Sequence, residues 1–404
     1  MTASVPRSIL PPLTAEEQGH SLRLAARIRA ALASAGGWLS FERFMELALY
    51  APGLGYYSAG SRKLGVGGDF VTAPEVSDLF SRCLARQCAA VLMRTGGEIL
   101  ELGAGTGRMA AALLTELAAQ RLLPERYAIL EVSAELAERQ HERLARLPQA
   151  LRERVVWLER LPEQPLHGVM LANEVADALP CRRFRCDTGG TSEIGVVLDA
   201  GSEEPPTGSA PIRFRDGAVA ADASLARACD EILAGLPEPL PRGYTSEVCL
   251  RIAPWIAALS ASLARGLLLI CDYGLPRRHY YHPQRVSGTL RCHYKQLAHD
   301  DPYINLGVQD ITAWVDFTRV ADAALAAGLE VSGFATQAAF LLGLGVEGLV
   351  TEAGAGIERV RLAGEVRRLI MPEEMGEAFK MMALSRDLDI PLAGFALQDL
   401  RHLL

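Results

Sequence analysis

Glu98-Ile99-Leu100-Glu101-Leu102-Gly103-Ala104-Gly105-Thr106-Gly107-Arg108-Met109 is the stretch on which the reading of the fold turns. A short apolar run ends in an acid, glycines then alternate, and an alanine-rich pattern at helical spacing continues from Met109 to Ala119. Strand, tight loop and helix in that order form the entry to a nucleotide-type site at the carboxyl edge of a parallel sheet. Glycine accepts positive φ and lets a ligand approach the backbone closely. The helix behind such a loop presents free N–H groups and a partial positive charge.

The spacing then selects among ligands. A phosphate loop needs a lysine after its last glycine, and none follows Gly107. The dinucleotide fingerprint needs glycine where this chain has Arg108. What remains is E-x-G-x-G-x-G, the glycine loop typical of S-adenosylmethionine (SAM) methyltransferases. The glycines would admit the methionine part of SAM, and Glu101 would take its ammonium. An ordinary glycine-rich turn is the competing reading, because short glycine patterns recur by chance.

Bulk properties narrow the class. The chain has 404 residues and half are apolar, enough for one large or two medium domains. Eight scattered cysteines lack zinc spacing and read as reduced, mostly buried thiols, so no metal is expected. A net charge of −7 argues against general nucleic-acid binding. No run approaches the roughly 18 apolar residues of a membrane span, and residues 1–19 lack the apolar core of an export signal. Abundant Ala, Leu and Arg fit a GC-rich bacterial source, and the expected location is the bacterial cytoplasm.

Outward from the glycine loop, strand and helix patterns alternate. Strands are expected at 98–102, 127–131, 154–158, 168–172 and 266–272, with helices at 107–119 and 133–146. An antiparallel pair at 329–334 and 378–384 would close the sheet. Upstream, helices are expected at 14–35, opened by a capping box at Thr14, at 40–50 from Ser40, and at 77–94. The glycine-rich loop 65–75 reads as a lid or a plain connector. Residues 181–258 break the alternation with two antiparallel strands, a Pro/Gly loop at 201–211, and a helix at 247–264. Residues 288–305 read as irregular, 310–327 and 337–375 as helical.

Three acid-bearing points then fall on one edge. Glu131 lies 28 residues after Gly103, at the end of the second strand, where an acid accepts two hydroxyl hydrogen bonds from a ribose. A helix-start acid favoured by the dipole is the alternative for Glu131 alone. Asn173-Glu174-Val175-Ala176-Asp177-Ala178-Leu179-Pro180 follows the fourth strand and would face the reactive methyl. Carboxylates there match a guanidinium bidentately. Glu174 and Asp177 would share a face if that turn is helical; acids capping the next helix are the alternative. Asp272-Tyr273-Gly274 ends the fifth strand.

The combination of Gly68-Asp69-Phe70-Val71-Thr72-Ala73-Pro74-Glu75, the glycine loop, the Asn173–Pro180 block, Asp272-Tyr273-Gly274 and Asp310-Ile311-Thr312-Ala313 resembles the MidA-like family. These are SAM-dependent methyltransferases related to the mitochondrial complex I assembly factor that methylates an arginine of a complex I core subunit. The resemblance covers about residues 40–385. It implies that Asp69 and Thr72 border SAM, that Gly103, Gly105 and Gly107 hold it, and that Asn173 and Glu174 face the methyl. Phe70, Ala104 and Val132 complete the expected cofactor wall. Ala176 stands where the family usually has an aromatic.

The resulting expectation is an α/β Rossmann-like class I methyltransferase fold with a mostly parallel seven-stranded sheet. It divides into an N-terminal helical region with the lid loop (1–80), a SAM-binding core (81–180 plus 259–390) and an inserted substrate region (181–258). The expected chemistry is SAM-dependent methylation of a protein, at arginine, with Glu174, Asp177 and Asn173 as the catalytic set. The expected partner is a protein substrate, and a homodimer is a further expectation. Methylation of a small molecule or RNA, or a non-catalytic assembly chaperone, are the rival readings.

Overall fold

The computed structural model describes residues 5–59, 72–199, 212–352 and 354–404. Asp69, Phe70, most of the glycine-rich loop before Ala73, and the loop 201–211 lie outside the described residues.

Seven strands form the central path: β1 (Glu98–Leu102), β2 (Tyr127–Leu130), β3 (Val155–Leu158), β4 (Leu166–Asn173), β5 (Leu263–Leu275), β6 (Glu330–Thr336) and β7 (Phe379–Arg386). Their spatial order is β6-β7-β5-β4-β1-β2-β3, with the two-residue strand Val315–Asp316 paired to the end of β5. From β5 to β3 the strands run parallel. β7 is antiparallel to both neighbours, as the sequence suggested. The chain reverses its direction of winding between β1 and β4, and open α/β sheets bind ligands at that point.

Register fixes what stands at the edge. Leu102 pairs with Leu130 on one side and with Ala172 on the other. Gly103, Glu131 and Asn173, the next residues along, therefore lie level with one another.

Both sheet faces are covered, which is why β4 and β5 read as near-continuous apolar runs. Ile99, Val169, Leu171, Leu267 and Leu269 face helices Asp78–Thr95 and Arg108–Ala119. Leu100, Met170, Leu268 and Ile270 face helices Ile252–Ala261 and Phe317–Ala326. Helix 108–119 opens on Gly107 with no side-chain cap. A cap is worth ~1 kcal/mol, whereas burying Met109, Leu113, Leu114 and Leu117 contributes about 2 kcal/mol each. Packing holds this helix behind the glycine loop.

The N-terminal helices, Ala15–Ser34 and Phe41–Tyr50, do not stand apart from the insertion. Leu39 and Ser40 pair with Val196 and Gly195, and Phe41, Phe44 and Met45 share a core with Cys181, Val196 and Phe214.

Three local readings are corrected. The stretch expected to open a helix at 247 is a strand, Thr245–Val248, paired with Arg182–Arg185; the helix starts only at Ile252. Residues 288–305 are not irregular throughout: Arg291–Tyr294, Leu297–His299 and Asp310–Thr312 form a small antiparallel sheet. Strand pairing therefore takes the first residues of the expected 310–327 helix, which begins at Phe317 behind an Asp316 cap. In the first and third cases strand pairing overrides local helical spacing.

Candidate active site

A cleft of about 320 Å³ opens at the carboxyl edge where β1 and β4 part. It is lined by Thr72, Glu101, Gly103, Ala104, Gly105, Glu131, Val132, Asn173 and Glu174 among the expected residues. Gly107 and Asp177 are not on its wall.

The glycine loop works as its spacing requires. Gly103, Gly105 and Gly107 all sit at positive φ (63°, 54° and 76°), which side-chain-bearing residues rarely adopt. Gly107 turns the loop into its helix, with a hypothetical Cβ 3.3 Å from Gln140. The loop is tied on its outer side. The Thr106 hydroxyl donates to Glu75 at 2.5 Å, and Arg108 reaches the Glu75 carbonyl at 2.6 Å and Asp78 at 2.8 Å.

Glu101 is 1% exposed and accepts a 2.6 Å hydrogen bond from the Tyr127 hydroxyl. Burial pushes its carboxyl up to about 7, and the charge of Glu131 adds to the rise. Among the described residues no cationic side chain is bonded to Glu101. An ammonium supplied by a ligand would restore its charged form.

Glu131 is held from both oxygens. The Ser133 N–H donates to one and Gln140 Nε2 to the other, each at 2.9 Å. Gln140 Nε2 also donates to the Gly105 carbonyl at 2.9 Å, while its Oε1 accepts from Trp157 Nε1 at 3.0 Å. One fully buried amide thus locks the glycine loop to the acid of the next strand. Sequence reading passed over Gln140. Its signal was there: a polar residue in the buried Leu136, Gln140, Leu144 row of helix Ala134–Leu144. Below it, Met109, Leu130, Val132 and Leu136 give the cleft an apolar floor suited to a base.

The other wall is the 173–180 turn. It is not helical, so Glu174 and Asp177 do not share a helix face. Glu174 has φ 53°, an uncommon conformation for a residue with a side chain, costing about 1–3 kcal/mol. Its N–H donates to the Cys271 carbonyl at 2.8 Å. Burial, followed by the charge of Asp272, pushes the Glu174 carboxyl up to about 8. Asn173 Nδ2 donates to Glu174 Oε1 at 3.2 Å, and Asn173 Oδ1 is buried with no partner. Asp177 lies under the turn, where burial and then Asp272, Glu174 and Asp310 raise its pKa well above the usual range.

Tyr50 and Tyr57 close this end. They stack with centroids 5.5 Å apart. Tyr50 donates to the Ala178 carbonyl at 3.0 Å, and Tyr57 to Asp310 at 3.1 Å. Nothing in the local spacing around Tyr50 and Tyr57 signals this pair. Trp255 lines the cleft as well, brought there by helix Ile252–Ala261 at the end of the insertion.

With this geometry in hand, comparison with known proteins is specific. A family model described as "Putative S-adenosyl-L-methionine-dependent methyltransferase" matches residues 83–335. The chain belongs to this family. A Burkholderia thailandensis protein described as a "likely methyl transferase", solved bound to S-adenosyl-homocysteine, is 40% identical. The match covers 98% of this chain and all of that one, with a TM-score of 0.89. The mouse mitochondrial protein arginine methyltransferase NDUFAF7 is 29% identical over 380 residues, covering 86% of this chain and 81% of its own length. Its fruit fly homologue is 28% identical over 417 residues, covering 94% and 90%. This methyltransferase has the α/β fold of the family and uses SAM as its cofactor. Among the described residues no helix is long and apolar enough to cross a membrane.

The residues present fit that cofactor. A buried acid without a cation, a backbone cradle at positive φ, a braced acid level with it and an apolar floor are the four features SAM's ammonium, methionine chain, ribose and base require.

Proposed function

We propose that this enzyme methylates a protein, at the guanidinium of an arginine side chain. The observation that carries the reading is the far end of the cleft. There the half-buried Glu174, Asn173 and the Tyr50/Tyr57 pair line the same space. A guanidinium is a planar fork of donors, matched by a carboxylate and an amide oxygen, and its face stacks on aromatic rings. The names of the animal relatives support the same acceptor. A respiratory complex I-type subunit is the protein that the family resemblance implies. The proposed place of action is the bacterial cytoplasm.

In this reading Gly103, Ala104 and Gly105 hold SAM by backbone, Glu101 takes its ammonium, Glu131 its ribose hydroxyls, and Thr72 and Val132 border it. Asp69 and Phe70 belong to the same expected set. SAM supplies an activated methyl on a sulfonium. Asn173 and Glu174 hold the acceptor nitrogen in line, and positioning provides much of the rate. A cation at Glu174 favours its charged form, so binding draws the proton from a carboxyl poised near 8. Asp177, behind the turn, adds negative potential rather than contact.

The test is transfer from methyl-labelled SAM into a lysate of cells lacking this chain, sorted into protein, RNA and solute. Label in protein, lost with Glu174→Gln, is the expected result. Label confined to RNA or solute would overturn the reading.

A further inference from the structure

Asp272, near the end of β5, is fully buried and is not on the cleft wall. Nevertheless four backbone N–H groups converge on its carboxylate. Oδ2 accepts from Val175 at 3.2 Å, Ala176 at 2.9 Å and Asp177 at 3.2 Å, and Oδ1 accepts from Tyr273 at 2.8 Å. Three successive amides on one oxygen form an anion nest, here filled by the protein's own side chain. The nest begins one residue after Glu174, whose positive φ needs support from its surroundings. On its other side Asn173 is paired with Cys271, and the Glu174 N–H is bonded to the Cys271 carbonyl. The bend that aims Asn173 and Glu174 is therefore fastened to two consecutive residues of the neighbouring strand.

The choice of a carboxylate is costly. Burial pushes Asp272 up to about 7, against the pull of its four donors. Its charge also raises both Glu174 and Asp177. A backbone carbonyl or a water could satisfy an amide of this turn without that expense. What a carboxylate adds is two oxygens at fixed separation, one binding the turn and one binding its own strand.

We propose that Asp272 is a positioning residue for methyl transfer, acting through the 175–177 amides to set the direction of Asn173 and Glu174. The proposal rests on the reading that these two face the acceptor. The groups facing Glu174 are Asn173, the Ala73 N–H, which donates to its carboxylate, Asp177, Asp272, Cys271, Tyr273 and Asp310. Removing the Asp272 charge lowers the pKa of Glu174, so position and titration change together.

The experiment compares wild type with Asp272→Asn, in the full chain. Asparagine keeps the shape but places an NH₂ where one of the two sets of N–H donors points. SAM affinity by calorimetry is expected to stay within about 5-fold, because Glu101, the glycines and Glu131 are untouched. Initial transfer from labelled SAM into the lysate is expected to fall at least ~100-fold, the cost of about 1 Å of misplacement. The rise of rate with pH is expected to move to lower pH in the residual activity. A purely structural role would lower the unfolding temperature and reduce transfer only in step with SAM affinity. Transfer close to wild type, or transfer lost only in step with SAM affinity, overturns the proposal. If label enters RNA or solute instead of protein, the arginine reading falls, yet the same rate ratio decides Asp272. Should Asp272→Asn not fold, hydrogen exchange of the wild type decides instead. The peptide 173–180 must exchange as slowly as β5, and exchange at the rate of an open loop contradicts the proposal.

Discussion

The two walls of the cleft differ in how far the chain reaches to build them. On the cofactor wall the decisive bonds are local: Gln140 to Glu131 spans 9 residues and Tyr127 to Glu101 spans 26. On the acceptor wall Asp272 holds Val175 across 97 residues and Tyr57 meets Asp310 across 253. The first wall is one strand-loop-helix unit and its neighbour, so its chemistry appears as spacing. The second is assembled from the N-terminal helices, the fourth and fifth strands and the last strand of the small antiparallel sheet. Its positions also carry more strain and more buried charge.

The largest effect should come from the cofactor wall. Gly105→Val places a β-branched side chain at φ 54°. Calorimetry should show SAM affinity reduced by more than about 1000-fold. Retention of binding would mean the loop does not cradle the cofactor. On the acceptor wall, Glu174→Gln should cut the transfer rate by about 100- to 1000-fold while SAM affinity stays within about 3-fold. Equal losses in both quantities would erase the distinction between the walls.

A smaller loss is expected from Glu131→Ala, which removes two hydrogen bonds to a charged acceptor. At about 1.5 kcal/mol each, less partial replacement by water, SAM affinity should fall roughly 10- to 100-fold. Gln140→Ala should cost about 10-fold in affinity, and it should also change Trp157 fluorescence, because Trp157 loses its bond to the amide. An unchanged affinity would show that the loop keeps its shape without Gln140.

The smallest effect is in stability. Glu101 and Asp272 near 7 and Glu174 near 8 all lie above their unfolded values. The folded chain therefore binds more protons between about pH 4 and 8, and these groups make the cofactor-free protein less stable as pH rises across that window. The unfolding temperature should fall by a few degrees from pH 6 to 8.5. Saturating SAM should flatten the slope, since its ammonium favours ionised Glu101. A rising temperature over the same range would contradict the burial of these acids.

This difference in reach also explains what the sequence could say. Strand positions at 98–102 and 127–131, and the levels of Gly103 and Glu131, follow from apolar runs with glycine or acid at their ends. Asn173 and Glu174 were legible as a block because they end a strand. The orientation of Glu174 was not, since its φ is imposed by Asp272 and Cys271 from another strand. Asp177 illustrates the consequence: spacing would set it beside Glu174 only if the turn were helical, and the turn instead carries it under the bend. Tyr50 and Tyr57 carry no local signal, because only the fold brings them to Ala178 and Asp310. The end of the strand Thr245–Val248 fell in the expected 247–264 helix for the same reason, its pairing partner lying some 60 residues earlier at Arg182–Arg185.

The measurement that bears most directly on the account is the chemical identity of the methylated residue. Protein labelled from methyl-labelled SAM by this enzyme, hydrolysed and analysed by mass spectrometry, should yield methylarginine, with none from Glu174→Gln. Label recovered on lysine, on a carboxylate, or outside protein altogether would contradict the assignment of the acceptor wall to a guanidinium.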